Sequence, residues 1–86
     1  MRIDKFLKVS RLIKRRTIAK ELAEAGVVSI NGKKAKPSEE VKLGDVVTLR
    51  LGRREIQARV LSLSDKPAKE GTPPMFEVIL ERKNDD

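Results

Sequence analysis

The sequence predicts an α+β domain, an N-terminal helix pair packed on a small, mainly antiparallel sheet. Three observations carry this prediction. Apolar residues recur at helical spacing up to Gly26 and alternate with polar ones beyond it. Asn31-Gly32, just after that change of period, is the strongest short hairpin signal a sequence offers. The later apolar runs are separated by turn residues at Gly44-Asp45 and Gly52.

The elements follow in order. In "DKFLKVSRLI", Ile3, Phe6, Leu7 and Ser10 share one face, with Lys5, Lys8 and Arg11 mostly on the other. Asp4 reads as an N-cap or a first-turn acid. In "RRTIAKELAEAG", Ile18, Ala19, Leu22 and Ala23 form a narrow stripe of mostly small residues that allows close packing, and Gly26 falls where a left-handed glycine ends a helix. Two helices joined by so few residues predict an αα-hairpin or corner.

Beyond Gly26, "VVSI" is a short strand, Asn31-Gly32 its turn and "KKAK" the return. Pro37 and Ser38 break that strand, and Val41 and Leu43 are expected as core anchors. "VVTLRL" presents Val47, Leu49 and Leu51 on one face, and "IQARV" resumes with Ile56, Ala58 and Val60. Leu61 and Leu63 fall out of phase, which predicts a β-bulge near 60–61. "DKPAKEGTPP" reads as a polar loop, "MFEVILER" as a last strand and "KNDD" as a frayed tail. The expectation is one domain over 1–82 and a tail over 83–86.

Composition excludes several chemistries. The 86 residues include no Cys and no His, so zinc sites, disulfides, thiol nucleophiles and His-based triads are ruled out. No phosphate-cradling glycine loop occurs. Asp4 beside Lys5 or Lys8 reads as a helix-surface contact rather than an acid–base pair. Neither catalysis nor a cofactor nor a metal is expected. No apolar run approaches the ~18 residues of a membrane span, and "MRIDKFLK" lacks the apolar centre of a signal peptide. The absence of Cys fits a reducing compartment, so a cytoplasmic location without membrane attachment is expected. The chain is also expected to be a monomer.

The net charge of +7 is unevenly placed. Residues 1–36 hold eleven Lys and Arg against three acids, whereas residues 37–86 hold nine against ten. A basic region of this kind marks a polyanion binder. The alternative, a solvated face that serves solubility, needs charge but not segregation. Lys14, Arg15 and Arg16 open the second helix, with Lys14 at the expected cap. Cations there oppose the helix dipole, so an external anion is expected to supply the negative charge.

Aromatic content narrows the partner. Phe6 and Phe76 are the only aromatics, both at core-facing positions, so no exposed ring is available for stacking single-stranded bases. The second helix offers Arg15, Arg16 and Lys20 but no Asn or Gln to read a major groove. A folded RNA, held through phosphates and shape, is the expected target. Candidate contacts are Arg2, Lys5, Lys8 and Arg11 around the first helix, Lys14, Arg15, Arg16 and Lys20 at the second, and Lys33 and Lys34 beside the hairpin turn. Lys36 goes with that last pair, and ordinary turn charges are the alternative role for all three. Arg2 has an ion pair to Asp4 as its alternative role, and Arg16 a surface position beside Lys20. Asn31-Gly32 is read as structural. Arg53, Arg54 and Arg59 are read as ordinary surface charges.

"RIDKFL", "RRTIAKELAEAGVVSING" and "KPSEEVKLGD" together resemble the RNA-binding domain named after ribosomal small-subunit protein four. The matching positions are Arg2-Ile3-Asp4, then Arg16, Ala19, Leu22 and Gly26, then Val28, Asn31 and Gly32, then Pro37, Ser38, Val41, Gly44 and Asp45. They cover about residues 1–50, leaving 51–82 as added strands. Lys14-Arg15 departs from the Ser-Thr that many members carry. End to end the chain resembles the ribosome quality control factor P (RqcP) family and, next, the heat-shock-protein-fifteen family, whose members usually carry a longer basic C-terminal extension. The first resemblance implies binding to large ribosomal subunits that still hold peptidyl-tRNA. It also implies contacts to tRNA and ribosomal RNA, and support for alanine tailing by an RqcH-type factor. The second implies a heat-shock or assembly factor without a tailing role. A general RNA-binding adaptor is the third reading.

Overall fold

A computed structural model of the chain describes residues 1–64 and 74–83. Among the described residues, two helices, α1 (Ile3–Val9) and α2 (Arg16–Glu24), precede five strands: β1 (Val28–Ile30), β2 (Lys33–Lys34), β3 (Val46–Leu51), β4 (Arg54–Val60) and β5 (Phe76–Lys83). The strands form one antiparallel sheet in the order β2-β1-β3-β4-β5. Most of the loop expected over 65–74 and the tail residues 84–86 lie outside the described residues. Lys83, expected in the tail, instead closes β5 opposite Arg54.

The core lies between the helix pair and the β1–β3–β4 part of the sheet. Ile3, Phe6 and Leu7 of α1 are fully buried with Val28, Val47, Leu49 and Val60. Each such side chain contributes about 1.5–3 kcal/mol relative to exposure. Ala19 and Ala23 are the buried positions of α2, and their small size lets the two helices approach closely. Ile18, expected in that stripe, is 42 % exposed because the contact is centred on the Ala19–Ala23 line and leaves its flank open.

Turn chemistry positions the rest. Gly26, at φ +80°, donates its amide to Ala23, while the Val27 amide reaches Leu22. That bond pair is a Schellman motif, and it ends α2 as the sequence predicts. Asn31 and Gly32 both take positive φ, the signature of a type I′ hairpin turn between β1 and β2. Val41 is fully buried as expected, but Leu43 is 63 % exposed. Leu43 occupies the outer corner of a turn in which the Asp45 amide bonds the Lys42 carbonyl and Gly44 takes positive φ, so its side chain is carried off the sheet. Beside the bulge expected near 60–61, the Leu61 and Ser62 amides both donate to the Met75 carbonyl, so two residues there oppose one. A second irregularity is not legible in the sequence: Gln57 pairs with Leu80 and Ala58 with Val78, which leaves Ile79 as an extra residue in β5.

Candidate nucleic-acid interface

The first residues of the chain are held by backbone bonds to the segment after β2. The Ile3 amide donates to Glu39, the Asp4 amide to Pro37 and the Val41 amide to Met1, with an isolated bridge between Arg2 and Glu40. This ties Arg2, the start of α1 and the Lys36–Ser38 turn into one corner beside α2.

Asp4 organises that corner. Its carboxylate is almost fully buried and accepts the Lys5 amide at 2.8 Å. Arg2 approaches it twice, with Nη2 donating to Oδ2 at 3.3 Å and Nε lying 3.3 Å from Oδ1. Arg16 Nε lies 3.5 Å from Oδ2. A buried carboxylate needs such partners to offset its desolvation. Both guanidiniums remain about half exposed. One negative charge therefore holds two positive ones in place, and the corner presents a net positive charge to solvent. Asp4 sits inside the first turn of α1 with Arg2 in the N-cap, so of the two expected roles it takes the first-turn one.

The N-terminus of α2 is uncapped, although the cap residue is Arg15 rather than Lys14. Ile13 is drawn into the core and its amide bonds the Leu7 carbonyl, which leaves Lys14 in the connection. Arg15 is extended and supplies no side-chain acceptor to the first-turn amides. Arg15, Lys14, Lys20, Lys33, Lys34 and Lys36 are exposed and have no acidic partner among the described residues.

A cleft of about 450 Å³ runs along this corner, lined by Arg2, Lys20, Ala23, Glu24 and the Lys36–Ser38 turn. It brings together Arg2, Lys20 and Lys36, three cations distant in sequence. The sequence groups Lys36 with the hairpin charges; the return of the chain past Ala35 places it here instead. Lys8 lies in the last turn of α1 and Arg11 just beyond it at φ +67°, and neither lines the cleft. Lys5 is half-buried beside Asp4. Lys33 and Lys34 form the edge strand, with the Lys34 side chain lying over Gly26 at the end of α2.

Asn31 has a structural part. Its Nδ2 donates to Asp45 Oδ1 at 3.0 Å, and its Oδ1 accepts the Val46 amide at 2.9 Å. Asp45 Oδ2 in turn accepts the Lys42 amide at 2.9 Å. The Asn-Gly and Gly-Asp turns thus lock to each other across fourteen residues of sequence. On the outer sheet, Arg59 lies 3.9 Å from Glu77, a balanced surface pair.

The S4 domain matches residues 1–47, the stretch that holds α1, α2, the Asn31 turn and the Asp4 corner. This chain belongs to the S4 domain family. Among S4-domain relatives, the Bacillus subtilis protein named RQC P-site tRNA stabilizing factor is 52 % identical over 96 % of both chains. A heat shock protein 15 homolog from Haemophilus influenzae is 38 % identical over 85 % of this chain and 54 % of its own length. A solved structure of Vibrio cholerae heat shock protein 15, described as trimeric, superposes with a TM-score of 0.79 at 33 % identity, covering 91 % of this chain and 80 % of that one.

Proposed function

We propose that this S4-domain protein is an RNA-binding accessory factor of bacterial ribosome quality control. It binds large ribosomal subunits obstructed by peptidyl-tRNA, holds that tRNA in place, and supports alanine tailing of the stalled chain by an RqcH-type factor. The observation that carries the reading is 52 % identity to the Bacillus subtilis factor across almost the full length of both proteins. The heat shock protein 15 homolog, by contrast, has nearly half its length outside the match.

The contact face is the Asp4 corner and the start of α2. Arg2 and Arg16 are pre-positioned by Asp4, so less side-chain freedom is lost when each meets a phosphate. The uncapped α2 terminus offers amide N–H groups beside Arg15 and Arg16, and both kinds of donor can engage one anion. Lys14, Lys20 and Lys36 extend the face, with Lys5, Lys8, Arg11, Lys33 and Lys34 at its margins. The protein works without catalysis of its own, in the cytoplasm, as a monomer. Deletion of its gene tests the reading. Stalled nascent chains should lose their alanine tails, and the protein should co-sediment with large subunits carrying peptidyl-tRNA. Co-sedimentation with tails intact would favour the heat-shock or assembly role, and absence of both a general RNA adaptor.

A further inference from the structure

The β3–β4 hairpin carries a second concentration of charge that the linear sequence conceals. Arg50 on β3, Glu55 on β4 and Arg82 on β5 are cross-strand neighbours in one row. Arg50 alternates with core-facing Leu49, which puts the row on the sheet face turned away from the helices. Glu55 accepts Arg82 Nη2 at 2.7 Å and Nε at 3.2 Å through Oε2, and Arg50 Nε at 3.4 Å through Oε1. Its side chain is only 17 % exposed, while those of Arg50 and Arg82 are 74 % and 65 % exposed. Arg54 is held by Glu81. Arg53, at the turn, and Lys83 have no acidic partner among the described residues. Arg50, Arg53, Arg54 and Arg82 thus line, together with Glu55, a cleft of about 280 Å³, which shares no lining residue with the helix-side cleft.

Crowding guanidiniums is unfavourable unless something negative separates them. Glu55 separates two of them while leaving their outward N–H donors free, a pre-organised arrangement for another anion. From this geometry we infer that the hairpin end is a second RNA phosphate-backbone site, distinct from the S4 corner. The polyanion is taken to be RNA because the family domain is an RNA binder, so the inference deepens the functional reading and rests on it. One basic surface fixes where a small domain sits on a folded RNA. Two surfaces on one domain also fix its orientation, and orientation is what a protein that holds another molecule in place must control.

The test is a titration of the isotope-labelled full-length chain with a short RNA duplex, following the arginine Nε–Hε signals. The signals of Arg50, Arg53, Arg54 and Arg82 should move, together with those of Arg2 and Arg16. The double variant Arg53→Gln/Arg54→Gln should bind the duplex on the order of tenfold more weakly. Its melting temperature should match the parent, because Arg53 has no described partner and the Arg54–Glu81 pair is exposed. Movement at Arg2 and Arg16 alone would overturn the second site and leave the S4 reading intact. Movement at the hairpin alone would support the second site and remove the S4 corner. Signals unmoved by RNA at both places would overturn both, and would leave the hairpin as a surface for an acidic protein.

Discussion

Arg16 Nε lies 3.5 Å from Oδ2 of Asp4, so the first residue of α2 is paired with a buried carboxylate in the first turn of α1. The contact joins the two helices and aims a guanidinium at solvent in one stroke. It also moderates what Arg16 alone would do for stability, since Arg2 and the Lys5 amide remain on Asp4 when Arg16 is gone.

Asp4 should therefore matter more to the fold than either arginine. Asp4→Ala leaves the Lys5 amide without its acceptor and two guanidiniums without an anchor, and should cost about 1–3 kcal/mol in denaturant unfolding. Asp4→Asn keeps an acceptor and should cost less. RNA affinity should fall in both, because Arg2 and Arg16 lose their common anchor.

Glu55 sets an acid-side dependence of stability. The hydrogen bond from Arg82 lowers its pKa below the ordinary carboxylate value; burial opposes this, and the charges of Arg82 and Arg50 reinforce it. A carboxyl more acidic in the folded state contributes stability above its unfolded pKa and loses it as pH falls through the folded one. Melting temperature should therefore decline below the usual carboxylate range, and Glu55→Gln should flatten that part of the profile. A parent profile already flat there would contradict the pairing.

Arg11 takes φ +67°, a conformation costly for a residue with a Cβ. Arg11→Gly relieves about 1 kcal/mol of strain, partly offset by the extra freedom of glycine in the unfolded chain. Thermal melting should show no loss of stability, whereas Arg11→Val should destabilise by more than 1 kcal/mol, since a β-branched residue fits that region worst.

Much of this fold is written locally, and those parts are legible in the sequence. Gly26 and Asn31-Gly32 are demanded by backbone geometry at single positions, so the end of α2 and the β1–β2 turn are predictable without knowing the tertiary structure. Ile18 and Leu43 are not, because their exposure depends on which line of α2 meets α1 and on which corner of a turn faces out. The Asp4–Arg2 pair is visible as neighbours, but the approach of Arg16 requires the helix crossing. The hairpin cluster is the least legible feature. Glu55 and Arg82 stand twenty-seven residues apart and meet only through the β4–β5 register. A count of charge over residues 37–86 therefore averages the cluster away.

Binding should be salt-sensitive. If ~6 or more phosphates are neutralised, affinity should drop about three decades or more between 50 and 200 mM salt, by the rule for duplex DNA. Titrations at a series of salt concentrations measure this, and a flat affinity would contradict a phosphate-dominated interface.

The central claim is that the Asp4 corner is the RNA face, and large-subunit binding by three variants tests it most directly. Arg16→Ala should weaken binding by about 1–3 kcal/mol, the worth of a charge-assisted hydrogen bond to phosphate. Its stability should fall by no more than about 1 kcal/mol, since the pair to Asp4 is half exposed on the arginine side. Arg16→Lys should restore only part of the binding, because an ammonium keeps the charge without the fork. Arg59→Ala, on β4 beside Glu77, should bind almost as the parent does. Normal binding by Arg16→Ala together with a clear loss in Arg59→Ala would place the RNA on the other side of the molecule.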